Sequence, residues 1–303
     1  MPSMRTVRGW VGLVLLFLAV GVFVSALTGV RTRGEAQGPS SSPSAEEVFA
    51  RAEELFPERY RPEVLDELIA LYEGLLPRLE TLPVEQQAQV LNRLAQLHYE
   101  KSVLREGDTD EDRQLLEKGK EYGLRSLRLN PDFAEWEARD FAKAVSFVTD
   151  VGALLWTADN WGGIFQFDPL AGLTGVGKLI VMHRRCLELE EAFWGASCHN
   201  ALGAILVTSP GFLGGDPEEG KEHLERAIEL APDYLTNHVV YAEYWGFTYD
   251  AFGNKNGVRD RELIERTVEL VREAPIGEWP FWNRIAKRDA ERLLEELEEF
   301  TAP

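Results

Sequence analysis

Residues 199–232 read HNALGAILVTSPGFLGGDPEEGKEHLERAIELAP, and this stretch decides the fold. A Leu-Gly pair followed by an Ala and a closing Pro is the pattern of two antiparallel helices that pack closely. We expect Leu202 and Gly203 to let the first helix approach the second. Ala227 is the small residue at which the second helix faces the first, and Pro232 ends that helix.

The same pattern resembles the tetratricopeptide repeat, which has a period of about 34 residues. Within that repeat, about 24 residues separate the Gly from the closing Pro, whereas Gly203 and Pro232 are 29 residues apart, so about five residues are inserted here. Helix ends similar to the one at Leu230 occur at Leu129 and Leu189, and their spacings of 60 and 41 residues are irregular. We therefore predict an all-α fold of degenerate tetratricopeptide-like helical hairpins, forming an α-α superhelix.

The inserted residues contain a Pro-Gly and a Gly-Gly pair, which predict a loop between the two helices. We expect Gly214 and Gly215 to supply the turn backbone. Asp216 is predicted to cap the next helix, with Pro217 at the first helical position. Glu219, three residues after Asp216, is predicted to close a capping box.

Residues 44–303 are predicted to form a single all-helical domain, which opens with a capping box at Ser44–Glu47. Every other periodic segment indicates a helix, and none alternates with the period of a β-strand. The apolar stretch Ala142–Phe167 predicts one central, buried helix. The remaining predicted helices are Pro62–Leu76, a helix opened by Pro83, Leu115–Leu129, Tyr234–Phe252, Asp260–Glu273 and Phe281–Phe300.

The first 30 residues contain an apolar run, Trp10–Val30, of 21 residues without a charge. At a rise of about 1.5 Å per residue, a helix of this length spans a bilayer core of about 30 Å. Two interpretations stay open: a signal peptide cleaved after Ala26, or an uncleaved N-terminal hydrophobic helix that anchors the chain in the membrane. Residues 31–43 are rich in Gly, Ser and Pro and predict a flexible linker. With either interpretation, we expect the domain to be exported to the periplasmic or extracytoplasmic face of the membrane.

The charge of the chain argues against a nucleic-acid partner. The formal net charge is −19, and the first 33 residues carry four arginines and no acid, which leaves −19 − 4 = −23 for the rest. Such a surface repels a phosphate backbone.

The two cysteines, Cys186 and Cys198, form no CxxC motif, and the five histidines form no HExxH motif. The sequence therefore predicts no metal site. Buried free thiols are the favoured interpretation of the cysteines, and a disulfide is the alternative because both flank a predicted turn near Glu190. Gly177-Lys178 is followed by Leu179 rather than Ser or Thr, so it is not a phosphate-binding loop. We predict neither an enzyme nor a cofactor.

Several motifs resemble those of the T-component family of tripartite ATP-independent periplasmic (TRAP) transporters. They are Leu155-Trp156-x-Ala158-x-x-Trp161, Cys186-Leu187-Glu188-Leu189, His199-x-x-Leu202-Gly203, Gly214-Gly215-Asp216-Pro217, His223-Leu224-x-x-Ala227-Ile228, Val240-Tyr241-Ala242 and Trp282-Asn283-x-x-Ala286-x-x-x-Ala290. The Gly-Gly-Asp-Pro loop between two helices is the most specific of them. The resemblance covers roughly residues 85–300.

The resemblance implies an all-helical periplasmic subunit that associates with the solute-binding protein of a TRAP transporter. It also implies a ligand, apolar or an organic acid, in a cavity between the helices, and it leaves a homo-oligomer open. Many family members are lipoproteins, but Val30 stands here where the lipidated Cys would be. The membrane contact would then depend on the N-terminal segment.

Polar side chains on otherwise apolar helices suit a ligand cavity with a few fixed hydrogen bonds. The candidates for ligand binding are Trp156, Asn160, Trp161, His199, Asn200, Tyr241 and Tyr244. Gly203, Gly214, Gly215, Asp216 and Pro217 are predicted to be structural instead.

The predicted function is a non-enzymatic accessory subunit of a TRAP-type transport system. The alternative is a general cell-envelope scaffold whose helical groove binds a peptide or an assembly partner.

Overall fold

A computed structural model describes residues 43–105, 109–250 and 253–301. The α-helices are α1 (Ala45–Leu55), α2 (Pro62–Glu73), α3 (Val84–Leu104), α4 (Asp110–Leu127), α5 (Pro131–Trp136), α6 (Phe141–Ser146), α7 (Val151–Ile164), α8 (Pro169–Leu189), α9 (Phe193–Thr208), α10 (Pro217–Leu230), α11 (Thr236–Gly246), α12 (Arg261–Glu273) and α13 (Trp282–Thr301). The short 3-10 helices are Phe56–Glu58, Leu76–Thr81 and Gly211–Leu213, and the strands are β1 (Phe247–Tyr249) and β2 (Lys255–Val258).

Helices that follow one another along the chain pack against each other, most extensively α9 with α10 and α3 with α4. The described residues belong to one compact unit that begins at Pro43. The all-α prediction is confirmed, while the assignment of the hairpins as tetratricopeptide repeats stays a prediction.

The predicted signal peptide or anchor, residues 1–30, lies outside the described residues, as does the linker except for Pro43. Among the helices that the structure describes, none is long and apolar enough to cross a bilayer.

Buried apolar side chains form two clusters. The larger one joins residues of α1 to α9 with Tyr234 and the start of α13. The smaller one is built by α11, β1, α12 and the rest of α13. Burial of this apolar area is the main force that holds the helices together.

The predicted helices differ from the structure mainly in two places. Residues 142–167 do not form one helix, because Asp150 caps α7 by accepting a hydrogen bond from the Ala153 amide at 2.9 Å and thereby separates α7 from α6. The expectation that no segment is a strand is also wrong. Helix α11 ends at Gly246, and the aromatic and β-branched residues that follow pair as β1 with β2 in an antiparallel ladder.

The N-terminal capping box is confirmed. The Ser44 hydroxyl accepts from the Glu47 amide at 3.1 Å, and the Glu47 carboxylate accepts from the Ser44 amide at 2.7 Å.

Candidate functional site

The α9–α10 hairpin depends on two glycines that face each other. A Cβ on Gly203 would lie 2.8 Å from the Gly220 carbonyl oxygen and 2.7 Å from the Leu224 Cγ. A Cβ on Gly220 would in turn lie 2.8 Å from the Gly203 carbonyl oxygen. The predicted close packing at Gly203 is therefore confirmed, and Gly220 is a partner that the sequence analysis did not name.

Two glycines of the hairpin loop are needed for different reasons. Gly214 has a φ of +93°, a left-handed conformation that glycine adopts without strain. A Cβ on Gly215 would overlap the carbonyl oxygen of Ser209, so close backbone approach selects glycine there.

Asp216 caps α10, because its carboxylate accepts from the Glu219 amide at 3.2 Å, and Pro217 is the first helical residue. The prediction of a capping box is wrong in its second half. The Asp216 amide donates to the Leu206 carbonyl at 3.0 Å, and Glu219 instead accepts from Arg184 at 2.7 Å.

Cys186 at the end of α8 and Cys198 in α9 form a disulfide, so the expectation of free thiols is wrong. The turn between α8 and α9 brings their Cα atoms to 6.3 Å, a distance that a disulfide bridges.

His199 lies in a polar contact between α9 and α10. Its Nδ1 is 2.8 Å from the Nδ1 of His223, so one ring donates to the other, and its Nε2 is 3.3 Å from the Glu191 carboxylate. Burial lowers the pKa of both histidines, and His223 lowers the pKa of His199 further. His199 therefore stabilises the contact between α9 and α10.

Asn200 and Asn237 hold α11 onto the hairpin. The Asn200 amide donates to the Asn237 Oδ1 at 2.5 Å. The Asn237 amide donates to the carbonyls of Gly195, Ala227 and Ala231 at 2.7–3.1 Å. Several accepting carbonyls around one buried amide indicate a structural junction.

The two tyrosine candidates are three residues apart on α11 and contact different elements. The Tyr241 hydroxyl donates to Glu225 of α10 at 2.9 Å. Tyr244 stacks on Tyr249 of β1 with ring centroids 5.8 Å apart.

Trp161 contacts the side of the molecule formed by α6 and α8. Its ring lies edge to face with Phe141 at 6.1 Å, and the ammonium groups of Lys120 and Lys178 lie 5.2 and 5.1 Å from its centroid. Asn160 is completely buried, and its amide donates to the Ala95 carbonyl at 2.9 Å. Assignment of the seven candidates to a ligand stays a prediction, and the structure does not bring them together.

One candidate, Trp156, belongs to a group that the sequence analysis missed. Six aromatic side chains follow one another in a closed circuit with neighbouring centroids 4.7–6.4 Å apart, and we call this group the aromatic circle. Its members in order are Tyr99, Trp156, Trp194, Trp279, Tyr234 and Trp282.

Trp194 reaches the circle through an unusual turn at the start of α9. Trp194, Gly195 and Ala196 all have positive φ, at 49°, 66° and 63°. A Cβ on Gly195 would lie 2.6 Å from the Tyr234 ring, so only glycine fits there. Non-glycine residues with positive φ are strained, and such strain is concentrated at functional sites.

Asp159 of α7 lies beside the circle. Burial raises the pKa of its carboxyl to about 8, and no hydrogen bond or ion pair joins it to any described residue. It is close enough to raise the pKa values of Tyr99 and Tyr234 beyond the effect of their own burial. The Asp159 side chain is partly exposed, so solvent can reach its carboxyl.

A cavity of about 200 Å³ adjoins the circle at Tyr99, between α3, α4, α7 and α13. Gly163 lines it from α7, one turn after Asp159, and Arg288, Asp289 and Arg292 line it from α13. The cavity gives a small molecule a place next to the circle.

Within the described ranges, no group of three or more His, Cys, Asp or Glu side chains is placed to hold a metal ion. The aromatic circle and the polar groups beside it suit binding through ring stacking and hydrogen bonds.

Comparison with known proteins gives one finding. The family model described as TRAP transporter T-component matches residues 97–300, which is about two thirds of the chain. A search of curated proteins finds no match.

Proposed function

The chain belongs to the TRAP transporter T-component family, and from this premise we propose that it is a non-enzymatic, extracytoplasmic subunit that binds the solute-binding protein of its transporter. It also handles the ligand of that system in a cavity between its helices. The observation that carries the proposal is the family match over residues 97–300, a range that spans the α9–α10 hairpin and the aromatic circle of this chain.

A protein partner needs an apolar surface that is not used by the fold. Leu170 and Leu173 lie one turn apart on α8 and are 71% and 46% exposed, and Phe212 is 83% exposed. The loop that carries Phe212 approaches α8 at Ile180, about 10–15 Å along the helix from the two leucines, so Phe212 is a separate exposed site. We assign both exposed sites to the solute-binding protein, and we call the site of Leu170 and Leu173 the α8 patch.

The test is calorimetric titration of the protein with the solute-binding protein of the same transporter. A transient interface buries less than about 1,200 Å², so a Kd of tens of micromolar agrees with the proposal. Phe212→Ser and Leu170→Ser should each weaken binding about tenfold, because they remove exposed apolar anchors. Leu270→Ser is the matched control, since Leu270 is 44% exposed on α12, away from the patch.

If Leu270→Ser weakened binding of the solute-binding protein as much as Leu170→Ser does, the α8 patch would not be the binding surface. Absence of any association at high concentration, together with binding of a peptide from an unrelated envelope protein, would replace the proposal with the scaffold alternative.

A further inference from the structure

Four side chains form a row of polar contacts across the α9–α10 crossing. Glu191 lies 3.3 Å from the Nε2 of His199, the two histidine Nδ1 atoms are 2.8 Å apart, and the Nε2 of His223 lies 3.7 Å from Glu219. The side chains of His199 and His223, which we call the histidine pair, are 7% and 17% exposed. Each ring therefore faces the other ring on one side and a carboxylate on the other.

The number of protons on the histidine pair decides whether this row of contacts is satisfied. A carboxylate only accepts hydrogen bonds, and the two Nδ1 atoms bond to each other only while one carries a proton and the other does not. Two neutral rings satisfy the Nδ1 contact, but one of them then turns a bare Nε2 towards a carboxylate. Because Glu219 is farther from its histidine than Glu191 is, we assign this bare nitrogen to His223.

The first and the second added proton have opposite effects on the pair. The first adds an N–H to the Nε2 of His223, where it meets Glu219, and leaves the Nδ1 bond intact. The second can go only to the Nδ1 of His199, so that two N–H groups meet head-on at 2.8 Å. That contact is repulsive, and the two charged rings also repel each other.

The charged groups that face the pair come from three parts of the chain. Arg184 of α8 donates to Glu219 at 2.7 Å, and Arg226 of α10 donates to Glu191 of the α8–α9 turn at 2.9 Å. Glu222 of α10 also acts on the pair. Three carboxylates against two guanidinium groups favour one added positive charge but not two. Burial lowers the pKa of both histidines, so both protons are taken up on the acid side of neutrality.

The remaining neighbours tie α9 in place at this point. The disulfide ends at Cys198, the residue before His199, and joins the α9 side of the pair to α8. The other helix that packs here, α11, contacts α9 through the uncharged Asn237, and its Tyr241 hydroxyl donates to Glu225 of α10. Since α10 has no covalent tie, its amides report a separation of the crossing.

We propose that the histidine pair is a proton-operated contact, which holds α9 and α10 together with one added proton and separates them when both rings are charged. Gly203 and Gly220, at the close approach of the two helices, each lie about one helical turn from the pair. The loop between α9 and α10 carries the exposed Phe212, so the state of the pair reaches the protein surface. This inference does not rest on the proposed partner.

The first test is an NMR titration of the imidazole nitrogens in the full chain from pH 8 to pH 4. At pH 8, His199 should carry its proton on Nε2 and His223 on Nδ1, since this arrangement satisfies the contacts of two neutral rings. The pair should then titrate in two separate steps, both below the ordinary histidine pKa of 6.5. The same tautomer on both rings, or a single step for the pair, would overturn the inference.

The second test compares amide hydrogen exchange in α10 between the wild type and His223→Gln at pH 7.5 and pH 4.5. Glutamine keeps an amide that donates to His199 at neutral pH or turns to accept from it in acid, and it carries no charge. The ratio of the wild-type rate to the variant rate should rise about tenfold from pH 7.5 to pH 4.5, the change that corresponds to one pKa unit. His199→Asn, which puts an amide near the position of Nδ1, should raise the ratio in the same way.

His238→Gln is the matched control, since His238 of α11 lies 2.9 Å from the Pro232 carbonyl and outside the pair. Its α10 amides should exchange as those of the wild type do at both pH values. Burial lowers the pKa of His183 on α8 to about 4, but all the compared proteins share this group, so its effect cancels. A ratio for His223→Gln that is unchanged or lower in acid would overturn the inference, and so would the same rise for His238→Gln.

Discussion

The α9–α10 hairpin and the aromatic circle use similar residue types in opposite ways. In the hairpin, the Asp216 carboxylate caps a helix and the Gly203 backbone packs against Gly220. At the circle, the Asp159 carboxyl has no hydrogen-bond or ion-pair partner among the described residues, and the backbone at Trp194 has a strained conformation. The polar and backbone groups of the hairpin stabilise the fold, whereas those of the circle are unsatisfied or strained and cost stability. Groups that cost stability in this way mark candidate functional sites.

The largest expected effect is at the disulfide between α8 and the start of α9, close to where the circle and the hairpin meet in α9. Cys186 and Cys198 are 12 residues apart, and closing a loop of that length stabilises a protein by about 3 kcal/mol. Replacing both cysteines by alanine should lower the free energy of unfolding by that amount in a urea titration. An unchanged midpoint would show that the α8–α9 junction is held by packing alone.

The next effect tests the hairpin itself. Gly203→Val should destabilise the protein by about 2–3 kcal/mol, because its side chain would overlap α10. Gly177→Ala is the matched control within α8, where a Cβ meets nothing within 4 Å, and it should stabilise the helix by about 0.5–1 kcal/mol. Equal denaturation midpoints for the two variants would contradict the close crossing.

The last effect has the opposite sign and tests the circle. Burial raises the pKa of Asp159 to about 8 in the folded protein, above its value near 3.9 in an unfolded chain. The folded state therefore binds the extra proton, and Asp159 destabilises the folded protein increasingly as the pH rises from about 4 to about 8. Relative to the wild type, Asp159→Asn should gain stability between pH 3 and pH 7, by at most about 4 kcal/mol for a shift of this size and by less because the side chain is partly exposed. A loss of stability at pH 7 would mean that Asp159 has a structural partner.

The hairpin could be predicted from the sequence because its determinants are local. The Leu202-Gly203 pair, the Gly-Gly loop and the Asp216 cap act within one stretch of the chain. The capping box failed only because the Asp216 amide finds a tertiary acceptor, Leu206. The disulfide could not be decided in this way, because it depends on how the turn after α8 folds.

The circle could not be predicted because its members lie between positions 99 and 282. An aromatic residue at helical spacing is usually core, and only Trp156 among the six was a ligand candidate. Asp159 could have indicated this region as a candidate site, since it is an acidic residue within the most apolar stretch of the domain. No sequence pattern predicts the left-handed turn at Trp194, since two of its three residues are not glycine.

The most direct test of the account is the NMR spectrum of the indole N–H groups. The chain has eight tryptophans. We predict that the Trp194 and Trp282 N–H signals lie upfield of the others, since these two buried N–H groups meet no acceptor among the described residues. Trp136 and Trp245, which are partly exposed, should give signals close to that of an indole hydrogen-bonded to water. Trp194 and Trp282 signals at the position of hydrogen-bonded indoles would contradict the account of the aromatic circle.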